Sequence, residues 1–347
     1  LRACLATAKA LDYGLYCCWL LVTGPPSSGK TELYIRTASA YRPHVFTSDL
    51  SVPGLLSLDR SRKGEGVLKA LGSKGLWLIK DFGSILGMRE ERRNELAGAM
   101  REIFDGSWDR HKGTGFEKWS GQINLIAAAT PAIERFHRIN ADLGDRFLQI
   151  RVHRPVGLEA AEKARGQVGK QLQFRRELLE AAKGVLTAAG PAPQDNPEWD
   201  RRCWAAAEFI ALARTAVIRD YHHNLQDVGE TEGATRLFQE ILSLLTTDAA
   251  LHNQSTLDNH QLPILHRLIY DSLHLGRGRI LQNFPLDCGL TWSEVRETSG
   301  IRHSESLKRT LEDLQAIGLV NRVENSAGHR YHLDSAAVEL IKAFCAI

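Results

Sequence analysis

Apolar and polar positions along this chain fall into blocks that predict alternating strands and helices in its first half. Tyr16 to Val22 is an apolar run closed by a β-branched residue, the pattern of a buried strand. Thr31 to Ala40 follows a helical period, with Leu33, Tyr34, Ile35 and Ala38 on its inward face. His44 to Thr47 predicts a short second strand, and Pro53 and Gly54 mark a loop into a short helix. Asp59 to Lys69 is polar and basic, a surface connection. Gly75 to Lys80 is again apolar, and Glu91 to Phe104 is helical with Leu96, Met100 and Ile103 on one face. Gly113 and Gly115, flanked by aromatic-bearing segments, predict a hairpin within Asp105 to Gly121. Ile123 to Ala129 predicts a buried strand, and Leu143 to Val152 holds the last one. The predicted fold class is α/β, built on a parallel sheet.

The second half reads as helices. Val156 to Gly190 and Asn196 to Asn224 have helical patterns, separated by the loop signal Gly190-Pro191-Ala192-Pro193-Gln194-Asp195. Ala234 to Ala250 is a helix with Leu237, Ile241 and Leu244 or Leu245 inward, and Leu251 to Asn259 is loop-like. Pro263 to Phe284 predicts one helix through Leu265, Leu268, Ile269 and Leu273. Thr291 to Ser299 and Ser304 to Ile317 are two more, joined at Gly300-Ile301, before the short strands Leu319 to Val323 and His329 to Leu333.

Composition changes this picture little. The chain has 347 residues, 43% hydrophobic and 24% charged, which suits a soluble globular protein of two or three domains. A net charge of +3 sets up no global basic field, so any nucleic-acid contact must be local. The six cysteines have no C-x-x-C spacing and no metal pattern; Cys17 and Cys18 are expected as buried thiols. Together these predict a reducing, cytoplasmic setting. No secretory signal is visible, and the apolar run at Tyr16 is too short to span a bilayer, so no membrane partner is predicted. The abrupt opening at Leu1 predicts a further segment upstream.

Candidate chemistry starts at Gly24-Pro25-Pro26-Ser27-Ser28-Gly29-Lys30-Thr31, which fits the phosphate-binding pattern G-x-x-x-x-G-K-[ST] between a predicted strand and helix. Glycines let successive N–H groups turn towards a phosphate chain. Lys30 supplies a mobile charge for the β- and γ-phosphates, and the Thr31 hydroxyl is a Mg²⁺ ligand. The pattern predicts binding of a nucleoside triphosphate, ATP with Mg²⁺. Asp81, ending the Gly75 to Lys80 run, suits a second metal-holding carboxylate; the alternative is a helix cap before Ser84. Phe82 stands where many ATPases place the Glu that polarises water, so a base must come from elsewhere, with Glu90 and Glu91 as candidates, or hydrolysis is slow. The hydroxyl of Thr130, after Ile123 to Ala129, is placed to sense the γ-phosphate.

With the stretches IKDFGSIL, REIFDGSW, GTG…KWSG and LGDRFL in this order, the chain resembles the AAA+ ATPases over roughly residues 15 to 250, most of all those of phages and mobile elements. The resemblance implies that Arg146 is an arginine finger reaching a neighbouring subunit, the alternative being a salt-bridged surface residue. It implies that Arg236, in Thr235-Arg236-Leu237, is a second sensor, and that 107–121 is a pre-sensor hairpin. A ring of copies would then bring Arg110, His111 and Lys112 to a central pore. The C-terminal pattern resembles a winged helix, which implies DNA contacts from Arg302, Ser304, Ser306, Lys308, Arg309 and, on the wing, Arg330. The implied organisation is an ATPase core at 1–155, a helical lid at 156–255 and a winged helix at 256–347. The implied function is an oligomeric ATP-hydrolysing motor on DNA, of helicase or replication-initiation class. Alternatives are a nucleotide-switched DNA-binding or transcription-regulatory protein with little hydrolysis, and a defence or assembly scaffold whose winged helix grips protein.

Overall fold

A computed structural model describes residues 1–48, 51–56, 66–112, 115–136, 146–153, 157, 161–162, 165–325 and 328–345. The fold is mixed α/β. Five strands, β1 (Trp19–Thr23), β2 (His44–Thr47), β3 (Lys74–Ile79), β6 (Gln122–Ala129) and β7 (Leu148–Arg151), form one parallel sheet in the order β2-β3-β6-β1-β7. The central strands read as unbroken apolar runs because both faces are covered: every residue of β1 is buried. The register sets Trp19 beside Leu125 and Thr23 beside Ala129. Trp19, Trp77, Phe82, Met100 and Phe104 belong to the core on this sheet. Cys17 and Cys18 are buried, as their place in an apolar run predicts.

β4 (Ser107–Lys112) and β5 (Gly115–Ser120) make the expected antiparallel hairpin. Trp108 and Trp119 are buried in the sheet's core, and the Trp119 indole N–H donates to Gly72 O at 2.7 Å.

The chain divides into two compact units. The first comprises residues 1–194 and 243–257 and the second 195–242 and 258–347, so the helix Gln171–Ala188 belongs with the sheet. Among the described residues no helix is long and apolar enough to cross a membrane.

Three helical expectations are corrected. Thr31 to Ala40 is not one regular helix: Lys30–Ile35 has i→i+5 bonding before an α-turn at Arg36–Ala38. The wider turn shifts the phase of the pattern, so Ile35 and Ala38 are buried while Leu33 is exposed. The helix expected to Asn224 stops at Arg214, and β8 (Val217–Arg219) and β9 (Leu225–Val228) pair as a hairpin. A distant side chain ends it: Arg277 donates to the carbonyls of Ala213 and Thr215, at 2.9 and 2.7 Å. The single helix expected over Pro263 to Phe284 is two, Leu262–Asp271 and Leu275–Gln282. Arg214 Nε takes the Ser272 carbonyl at the break, at 3.0 Å. The last two departures have tertiary partners, Arg277 and Arg214, that local periodicity does not encode.

Candidate functional site

The glycine loop follows β1 at the carboxyl end of the sheet. Gly24 sits so close to β7 that a Cβ there would lie 2.6 Å from Val152 O. Gly29 has φ +82°, left-handed backbone that turns the chain into the next helical segment. Pro25 and Pro26 carry no N–H, so the donors available to an anion are those of Ser27 to Thr31. Lys30 folds back into the loop, where Nζ donates to Gly24 O at 2.6 Å, Pro25 O at 2.7 Å and Ser28 Oγ at 3.3 Å. Desolvation pulls the Lys30 pKa down, and the charge of Asp81 works against that shift.

Sheet order explains why Asp81 acts on Lys30 from fifty residues away. β6 lies between β1 and β3, so three parallel strands end side by side. The loop after β1, Thr130 after β6 and Asp81 just beyond β3 therefore share the carboxyl edge, where open parallel sheets bind ligands. Asp81 is exposed and also caps its own turn, its Oδ1 accepting from Gly83 N at 3.0 Å. Of the two alternatives for this residue, the capping bond is present and engages one carboxylate oxygen. The residues fit a magnesium–triphosphate: a cradle of N–H donors, a held ammonium, a hydroxyl and a carboxylate. Beside them, Glu134 and Arg151 form a nearly buried ion pair that the sequence did not single out.

Phe82 is fully buried, 5.3 Å centroid to centroid from Phe147. The position after Asp81 thus serves the core. Glu90 and Glu91 lie in the first turn of the helix Glu90–Phe104 and are exposed.

The helix Gln171–Ala188 faces the glycine loop across a cleft of about 1010 Å³ lined by Ser27 to Leu33, Gln167, Gln171 and Phe174. Arg175 grips Glu32 from across it, Nε to Oε2 at 2.6 Å and Nη2 to Oε1 at 2.9 Å. Glu32, Phe174 and Arg175 were missed in the sequence, where they look like ordinary helix-surface residues. One signal was available: residues 165–176 hold four basic and no acidic side chains.

Other predicted site residues are placed less simply. Arg146 points inward, 11% exposed, with its guanidinium 5.5 Å from the Phe104 ring centroid and 3.2 Å from Asp105. This intrachain pair is the salt-bridged alternative. Arg236 pairs with Glu232 at 2.6 Å and belongs to the second unit, whereas Lys30 belongs to the first. The backbone of Arg110, His111 and Lys112 lies in β4, and their side chains fall outside the described residues.

In the second unit, helix Trp292–Ser299 opens on a capping box between Thr291 and Glu294 and closes on Gly300. Helix Ser304–Ala316 follows, then the antiparallel pair β10 (Val320–Asn325) and β11 (Gly328–Leu333). Arg302, Ser304, Ser306 and Lys308 are exposed and Arg309 is half-buried. Arg330 donates to Gly289 O at 2.7 Å, which ties it to its own chain. Two acidic residues of helix Ser304–Ala316 are neutralised from elsewhere. Arg219 pairs with Glu312 at 3.1 Å and Asp313 at 2.7 Å, and Arg277 reaches Asp313 at 3.3 Å. The C-terminal half of that helix is therefore less acidic than its composition indicates, while Glu305 stays exposed in its first turn.

No family model matches the chain, and no curated protein matches it significantly.

Proposed function

We propose that this chain binds ATP with Mg²⁺ at the glycine loop, couples the nucleotide to DNA, and is a helicase- or replication-initiation-class motor of AAA+ type. The observation that carries the nucleotide reading is the meeting of the glycine loop, Thr130 and Asp81 along one carboxyl edge. In this reading the N–H groups of Ser27 to Thr31 cradle the phosphates, and Lys30 exchanges its loop carbonyls for the β- and γ-oxygens. Thr31 and Asp81 would hold the Mg²⁺, which supplies neutralising charge for the phosphoryl oxygens. Phe174 and Leu33 offer apolar surface along the adjoining cleft. On the C-terminal side, the helix–turn–helix and hairpin support a winged helix, with Arg302, Ser304, Ser306, Lys308 and Arg309 towards a duplex.

A second reading, a nucleotide-switched DNA-binding protein with little turnover, is favoured by three observations. Phe82 is committed to the core, Arg146 is held by Asp105, and Trp108 and Trp119 anchor the hairpin internally. In either reading Lys30→Ala should lower ATP affinity by more than about tenfold while the circular dichroism stays unchanged, since a hydrogen bond to a charged group contributes about 1.5–3 kcal/mol. A folded Lys30→Ala protein that binds ATP like the wild type would overturn the site. ATP turnover with and without single- and double-stranded DNA then separates the two readings: a DNA-stimulated rate supports the motor, and its absence supports the switch.

A further inference from the structure

Two surfaces of this chain, one in each unit, pair exposed apolar side chains with charges of opposite sign. In the second unit, helices Pro197–Arg214 and Ser335–Cys345 and the start of helix Ala234–Leu251 enclose an apolar groove of about 890 Å³. Its wall is Trp204, 40% exposed and set edge-on to Phe238 at 5.6 Å, and its floor is mostly alanine. Asp200, Glu208 and Glu339 place carboxylates around it, with Arg201 as a basic residue of the lining. In the first unit, Val168 and Leu172 are 77% and 66% exposed, the most exposed aliphatic side chains among the described residues. They sit in the acid-free run 165–176 beside the exposed Arg165, Lys170 and Arg176. Branched aliphatic side chains left in water beside cations are what an alanine-floored, carboxylate-rimmed groove accommodates. Burial supplies the attraction and opposite charge the orientation.

We propose that copies of this chain associate head to tail, the Arg165 to Arg176 segment of one copy seating Val168 and Leu172 in the Trp204 groove of the next. Because the two surfaces differ, the contact is heterologous and repeats from copy to copy, closing into a ring or running on as a filament. The proposal goes beyond the nucleotide reading and is tested without nucleotide, so its failure leaves that reading intact.

Sedimentation velocity of the full chain tests it. The wild type should show concentration-dependent mass above the 38.6 kDa of one copy. Leu172→Asp and Trp204→Ala should each weaken association by roughly 30-fold, the size of a hot-spot truncation. Mixed together, these two variants should pair through the one intact joint and stop at two copies. Arg176→Glu and Glu339→Arg should each weaken assembly, and combined in one chain should recover it, which guards against a simple folding defect. The proposal is overturned if the wild type stays at one-copy mass, if Leu172→Asp assembles normally, if the mixture forms no two-copy species, or if the double reversal fails to recover what each single reversal loses.

Discussion

The carboxyl edge of the sheet and the C-terminal helix-and-hairpin segment are built in opposite ways. At the edge, Lys30, Asp81, Thr130 and Arg151 come from four places in the chain and meet because parallel strands end together. The C-terminal segment is nearly continuous from Thr291 to Leu333, and its shape is local. What is not local there is the charge: Arg219 and Arg277, from outside the segment, neutralise Glu312 and Asp313. Dispersed residues make a site whose chemistry is readable and whose assembly is not. Contiguous residues make a segment whose shape is readable and whose free charge is not.

The most severe way to break this comparison is at Arg277. Burial lowers its pKa, Asp313 works against that shift, and its N–H groups hold the Ala213 and Thr215 carbonyls. Arg277→Met should destabilise the second unit by about 3 kcal/mol, the usual cost of breaking a buried pair from one side. A denaturation midpoint that moves only slightly would show that the segment holds its own shape unaided.

Replacing Lys308 and Arg309 together by alanine should weaken duplex DNA binding about tenfold or more at moderate salt. It should also reduce the slope of log affinity against log salt by about 2, one counterion-releasing contact per residue. An unchanged slope, measured by anisotropy across salt concentrations, would place the DNA elsewhere or remove it from the function.

At the sheet edge the corresponding change is smaller. Glu32 and Arg175 are both partly exposed, so the pair contributes at most about 1 kcal/mol to stability. Glu32→Gln should leave the melting temperature almost unmoved yet raise ATP affinity a few-fold, by removing a negative charge that lines the cleft and releasing Arg175. Calorimetric titration showing lower affinity instead would mean that the Glu32–Arg175 bond itself shapes the cleft.

The weakest expected effect is on pH dependence. Burial lowers the pKa of His44, and that of His266, below the ordinary value of 6.5. Each group therefore binds protons more readily unfolded than folded. Its contribution to stability is complete above pH 6.5 and is lost as pH falls towards the lowered folded value. His44, on β2, and His266, in the second unit, give each unit its own sensor. His44→Gln should flatten only the part of the acid-side slope that belongs to the first unit, measured by urea unfolding between pH 7 and 5. A slope unchanged by His44→Gln would assign the effect to other groups.

By itself the sequence determined the strand–glycine loop–helix order, the buried runs of β1, β3 and β6, the two tryptophan-bearing strands around Gly113 and Gly115, and the C-terminal order of helices and strands. These are short-range features, set by period, turn residues and caps that any chain carries locally. Tertiary structure alone decided that β6 separates β1 from β3, which puts Asp81 within electrostatic reach of Lys30. It decided that Phe82 serves the core, that Arg146 turns to Asp105, and that helix Pro197–Arg214 ends where Arg277 takes its carbonyls. It also set Arg175 on Glu32, across 143 residues of chain. The reason is common to all of them. A charged or aromatic side chain chooses between water, the core and a distant partner only when the fold brings that partner near, and no local pattern encodes the distance.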